Sequence, residues 1–145
     1  MKKESPSKKF VGAVGEELAA RFLERRGFEI IDRNYWKPWG EIDVVARKSG
    51  VVHFVEVKTV QQRQEEAGSR EQNSKITKLN IKNSPDEYRP EQNVHPWKLQ
   101  RLHRVIETYL MDERLDDMEW QLDVVTVRLD LDTRKAKMDW IENVI

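Results

Sequence analysis

Gly40-Glu41-Ile42-Asp43-Val44-Val45-Ala46-Arg47-Lys48-Ser49-Gly50-Val51-Val52-His53-Phe54-Val55-Glu56-Val57-Lys58 is the stretch that decides the fold. Two apolar, β-branched runs flank Ser49-Gly50, a recognisable turn signal, so the segment reads as two strands of one hairpin. With those two residues as the loop, opposed positions add to 99, which sets Asp43 against Glu56 and Glu41 against Lys58. Opposed residues on a pleated pair project to the same side, so the four charged groups are expected on one patch. Ile42, Val44, Ala46, Val55 and Val57 are expected to fill one face. Val45, Val52 and Phe54 are expected to share the face of the charges.

Strands apolar on both sides are usually covered on both sides. A solvated hairpin laced with cross-strand ion pairs, each worth ~0–1 kcal/mol, fits this pattern less well than charges at the edge of a covered sheet. An unpaired carboxylate in such a place is costly or takes up a proton, unless a cation compensates it. A lone Asp, then a Glu separated from a Lys by one residue, is the arrangement that a metal-dependent nuclease needs.

Composition bounds the rest. The chain of 145 residues fits a single domain with a genuine core, 1–145. It contains no cysteine, which excludes disulfides, zinc–thiolate sites and thiol catalysis. Met1 to Lys9 is basic and polar without an apolar run, and no stretch has the length of a membrane span, so a cytoplasmic protein without membrane contact is expected. Lys+Arg and Asp+Glu are both 26, so no overall basic excess points to nucleic acid. Local clusters exist at Lys2, Lys3, Lys8 and Lys9, and at Lys98, Arg101, His103 and Arg104; such runs are usually solvated faces.

Around the hairpin, Val11 to Arg26 reads as a helix ended by Gly27, and Phe28 to Asp32 as a strand. Asn34 to Gly40 is turn-rich and aromatic. Residues 60–96 are polar, carry Pro85, Pro90 and Pro96, and read as a long flexible loop. A second helix follows from Trp97 through Leu110, then strands over Trp120 to Leu129 and Lys137 to Glu142. The expected class is α/β, with an αβββαβ core, a terminal strand, and a mixed sheet flanked by helices. On the first helix Glu16 shares the stripe of Ala19, Ala20 and Leu23, while Glu17 lies about 100° round towards Arg21. A glutamate early in a helix can simply complement its dipole. Beside the hairpin, Glu16 can instead be aimed at Asp43 and Glu56.

Gly15-Glu16-Glu17-Leu18-Ala19, Gly27-Phe28, Gly40 to Ala46 and Phe54 to Thr59 together resemble the bacterial UPF0102 (YraN-like) family. The similarity continues through Lys98, Tyr109-Leu110, Asp123-Val124-Val125 and Ile141-Glu142-Asn143. That family resembles archaeal Holliday junction resolvases and the restriction-endonuclease-like PD-(D/E)XK fold. The resemblance implies a helix glutamate, an aspartate and an E-x-K pair, falling here on Glu16, Asp43, Glu56 and Lys58. Mg²⁺ or Mn²⁺ would be held by Asp43, Glu56 and Glu16, with the Val57 carbonyl as a further ligand. Lys58 would orient water or offset developing charge. Glu41 would stand behind the ligands or pair with Lys58, and Asp123 would be structural.

Lys98, Arg101 and Arg104 are candidate nucleic-acid contacts. The function these readings imply is a Mg²⁺-dependent DNA endonuclease acting on branched or structured DNA. Resolvase-type proteins work as homodimers, because a junction has paired scissile strands. The alternative is a nucleic-acid-binding accessory protein with the fold but little cleavage. It is favoured by the charge balance and by Val60-Gln61-Gln62, where many relatives carry basic residues.

Overall fold

The computed structural model describes residues 7–62 and 96–144. Helix α1 (Lys8–Arg25) starts a turn before the sequence pattern suggests. Ser7 explains the difference, because its hydroxyl accepts the Phe10 N–H at 3.1 Å and caps the open amides of the first turn. Gly27, at φ +89°, ends the helix, and the Phe28 N–H donates to the Leu23 carbonyl at 3.1 Å.

Five strands follow in one sheet, ordered as in the sequence: β1 (Glu29–Lys37), β2 (Gly40–Lys48), β3 (Val51–Gln62), β4 (Glu119–Asp130) and β5 (Lys135–Ile141). The β3–β4 pair is parallel and the other three are antiparallel, so the sheet is mixed. Helix α2 (Pro96–Asp112) lies on the crossover between the parallel strands. The element order is the expected one, an α/β fold consistent with a restriction-endonuclease-like core.

Two strands run well past their expected ends. Asn34 to Lys37, read as turn, belong to β1, because Tyr35, Trp36 and Lys37 pair with Ile42, Glu41 and Gly40. Aromatic residues suit a pleated surface, and Asn34 stays in the strand by adopting φ +53°. Only Pro38 and Trp39 turn. Residues 60–62, read as the start of the loop, extend β3 by pairing with Arg128, Leu129 and Asp130. The remainder of that loop, 63–95, lies outside the described residues.

The β2–β3 hairpin has the predicted register. Ser49 and Gly50 both carry positive φ, 52° and 78°, the two-residue turn whose twist matches the strands. Pairing runs from Lys48↔Val51 to Val44↔Val55 and stops there, so the expected pairs Asp43–Glu56 and Glu41–Lys58 lie outside the ladder: Glu41 pairs instead with Trp36 on β1, and Lys58 with Thr126 on β4.

Each face of the sheet carries a core. On one, α2 supplies Val105, Ile106, Tyr109 and Leu110 against Val45, Val52, Phe54 and Leu122. On the other, Ala19 and Leu23 of α1 pack on Val44, Ala46, Val55 and Val125. Gly40 permits the first packing, since a Cβ there would stand 2.8 Å from Val105 Cγ2. Ile42 departs from the expected pattern by joining the α2-side core together with Val45. Strict alternation back from Val44 would put Ile42 on the α1 face. The strand therefore changes phase between Ile42 and Val44, where its ladder to β3 has ended.

Candidate functional site

That phase change places the acidic residues. Asp43 faces α1 and lines a cleft of about 560 Å³ together with Lys8, Glu16, Val57, Lys58 and Gln61. The common face predicted for Asp43, Val45 and Phe54 is thus corrected: Val45 and Phe54 lie under α2, and Asp43 opens towards α1. A carboxylate oxygen of Asp43 accepts the Val57 N–H at 2.8 Å, taking over where backbone pairing ends.

Helix α1 brings Glu16 to the same cleft because Gly15 has no side chain. A Cβ on Gly15 would sit 1.8 Å from Thr59 Oγ1, so only glycine lets the helix lie this close to β3. Ligand oxygens of Glu16, Glu41 and Asp43 all lie within 4.8 Å of one another. Asn34 ties two of them together: with its carboxamide turned to satisfy both ends, its nitrogen donates to Glu16 Oε1 at 2.7 Å and Glu41 Oε1 at 3.2 Å. Glu17, one position on, turns outward as expected and pairs with Arg33 at 2.7 Å and Arg21 at 3.1 Å.

Electrostatics follow from this crowding. Burial, above all, pushes Asp43 up from 3.8 to about 7; the Val57 hydrogen bond opposes the rise, and the charges of Glu16, Glu56 and Glu41 add to it. Glu16 is also raised, chiefly by burial and then by Glu41, against the lowering pull of Arg33. Three carboxylates thus crowd one part of a cleft that Lys8 and Lys58 also line.

Carboxylates so placed are of the donor type that a hard divalent cation takes. Mg²⁺ holds hard oxygens at about 2.0–2.1 Å, so oxygens at neighbouring corners of its octahedron stand about 3 Å apart. The carboxylate oxygens of Glu16, Glu41 and Asp43, within 4.8 Å of one another, would draw together to share one ion. Glu56 acts on Asp43 through its charge but is outside that group, whereas Glu41, assigned a supporting role from sequence, is inside it. Val57 lines the cleft and contributes its N–H to Asp43; Lys58 lines it too.

The basic candidates lie elsewhere, on α2. Arg101 and Arg104 are exposed, and the Arg104 guanidinium stacks 4.2 Å from the centre of the Trp39 ring. The Lys98 side chain is outside the described residues. Asp123 is fully buried and structural in its contacts: it shares a 2.6 Å hydrogen bond with His53 Nδ1 and accepts from Gln121 Nε2 and the Asn143 N–H, both at 2.8 Å. Among the described residues no helix is long and apolar enough to cross a membrane.

Asn34 is the site residue that sequence reading missed. Its signal was present, since an asparagine inside an aromatic strand is well suited to a left-handed backbone position. Nothing local, however, says that its amide meets two glutamates.

Fold and cleft together give an α/β sheet-and-helix arrangement consistent with a restriction-endonuclease-like core, with carboxylates gathered in a cleft between α1 and the ends of β2 and β3. The chain belongs to the uncharacterised protein family UPF0102, whose model matches residues 15–127, from Gly15 of α1 into β4. A UPF0102 protein of Wolinella succinogenes is 36% identical over 104 residues, covering 72% of this chain and 73% of that one. One from Alkaliphilus oremlandii is 30% identical over 135 residues, 93% of this chain and 97% of the relative. Relatives from Campylobacter jejuni are 28% identical over 120 residues, 83% of this chain and 85% of theirs.

Proposed function

We propose that the chain is a Mg²⁺- or Mn²⁺-dependent DNA endonuclease acting on branched or structured DNA. The observation that carries this reading is the desolvated Asp43, held by the Val57 amide within 4.8 Å of Glu16 and Glu41 oxygens and sharing its cleft with Lys58. A hydrolase acting on a phosphodiester needs a nucleophilic water and relief of charge on the scissile phosphate. A bound divalent ion supplies both, lowering the pKa of its water and drawing negative charge from the phosphoryl oxygens. Asp43, Glu16 and Glu41 would hold it. Glu56 is close enough for its charge to act on Asp43. The Lys58 ammonium orients the incoming water or offsets charge on the leaving oxygen. Lys8, on the opposite wall of the cleft, gives the phosphate backbone a second cation.

An accessory nucleic-acid-binding role is the second reading. It is favoured by the balance of 26 basic against 26 acidic residues and by the uncharged Gln61 in the cleft wall. One experiment separates the two: labelled duplex, single-stranded and four-way DNA incubated with Mg²⁺, Mn²⁺ or EDTA, beside Asp43→Asn and Glu16→Gln. Cleavage that needs the metal and both carboxylates is expected. Binding without cleavage would select the accessory role. Metal-independent cleavage, or full activity in both variants, would refute the assignment.

A further inference from the structure

Trp36 is largely exposed for so large an apolar side chain. It is 66% exposed on β1, an edge strand, while its neighbour Tyr35 is packed edge-to-face on Tyr109 at 4.8 Å. An indole in the core would bury 150–250 Å² of surface, roughly, and this one contributes little of that. Its direction is set by pairing. Tyr35 and its partner Ile42 belong to the α2-side core, so the next pair, Trp36↔Glu41, projects to the other face. That face holds Glu16, Glu41 and Asp43. Cβ atoms of directly opposed residues lie roughly 4.5–5.5 Å apart. Trp36 therefore stands beside Glu41, on the face where a phosphate at the carboxylates would lie.

We infer that Trp36 is a stacking platform for an unpaired nucleobase next to the scissile phosphate, an inference that rests on the nuclease reading above. The neighbouring carboxylates repel an anionic group, but a base presents a neutral π-face to the indole. Inside a duplex both faces of each base are already covered by its neighbours. Only a single strand, a flap or a splayed junction arm offers a free face, so Trp36 selects substrates with an unpaired base at the cut. Aromatic side chains serve single-stranded nucleic acid in this way without reading its sequence.

The test compares wild type, Trp36→Ala and Trp36→Tyr on labelled single-stranded, four-way and blunt duplex DNA. Binding is measured by anisotropy with Ca²⁺ in place of Mn²⁺, intact DNA being confirmed on a gel, Mn²⁺ affinity by calorimetry without DNA, and mass by sedimentation. Trp36→Ala is expected to weaken binding of the single strand and junction about 5- to 150-fold, the equivalent of ~1–3 kcal/mol per stacked base. Blunt-duplex binding and Mn²⁺ affinity stay unchanged, and Trp36→Tyr restores most of the loss. Equal loss on all three DNAs, no loss on any while wild type binds, or a loss explained by dissociation of a dimer would each overturn the inference and leave the nuclease reading standing. Wild type that binds no DNA would overturn both.

Discussion

Asp43→Asn should stabilise the metal-free protein at neutral and alkaline pH, although it removes a residue at the centre of the site. The sign follows from linkage. Asp43 is raised from 3.8 to about 7, mainly by burial. Below about pH 3.8 its carboxyl is protonated in folded and unfolded chains alike and carries no penalty. As the pH rises towards 7 the unfolded chain releases the proton while the folded one retains it, so stability is lost across that window. At about 1.36 kcal/mol per pH decade, the full separation amounts to on the order of 4 kcal/mol at pH 8; the partial exposure of Asp43 and relaxation of the adjoining carboxylates reduce this to ~2 kcal/mol. Asparagine keeps an oxygen for the Val57 N–H and adds donors towards Glu16 and Glu41. Urea unfolding in EDTA should show variant and wild type close at pH 4 and separated by about 2 kcal/mol at pH 8, with the variant more stable. Saturating Mn²⁺ should erase or reverse the gap, because only wild type gains binding energy in full. A variant equal to or less stable than wild type at pH 8 in EDTA would refute the reasoning, since Asp43 would then not be an uncompensated desolvated charge.

Gly15→Ala should destabilise by ~1–3 kcal/mol in urea unfolding and weaken Mn²⁺ binding, because its Cβ would meet Thr59 Oγ1 at 1.8 Å; adding Thr59→Ala should recover part of both. Asn34→Gly should leave stability within about 1 kcal/mol, glycine being suited to a positive φ, while calorimetry should show Mn²⁺ affinity falling about 10–100-fold with loss of the bridge between Glu16 and Glu41. Asp123→Ala should be among the most damaging substitutions, on the order of 3 kcal/mol or more by chemical denaturation, because His53, Gln121 and the Asn143 amide all lose a partner.

Residues adjacent in sequence explain most of what was legible beforehand. The Ser49-Gly50 turn and the period-2 apolar runs specify the hairpin register, since a slip of one residue would turn every side chain to the wrong face. The apolar stripe of α1 with Glu16 on it, and the doubly covered strands, are likewise local patterns. Element boundaries were less legible where a single contact sets them. Ser7 begins α1 early, and Asn34 keeps β1 going through a position that reads as a turn.

The sequence by itself determined which side chains the site has available, Glu16, Glu41, Asp43, Glu56 and Lys58, and that Asp43 and Glu56 lie near each other at one hairpin end. Tertiary structure alone decided which of them meet. The phase change of β2 depends on where its ladder to β3 stops and on Ile42 finding room under α2. The approach of Glu16 depends on Gly15 meeting Thr59, 44 positions further on, and the pairing of Glu16 with Glu41 depends on Asn34 reaching both. Each of these is a contact between elements distant in the chain. Spacing rules describe one element at a time, and so cannot choose between Glu41 and Glu56 as the third carboxylate beside Asp43.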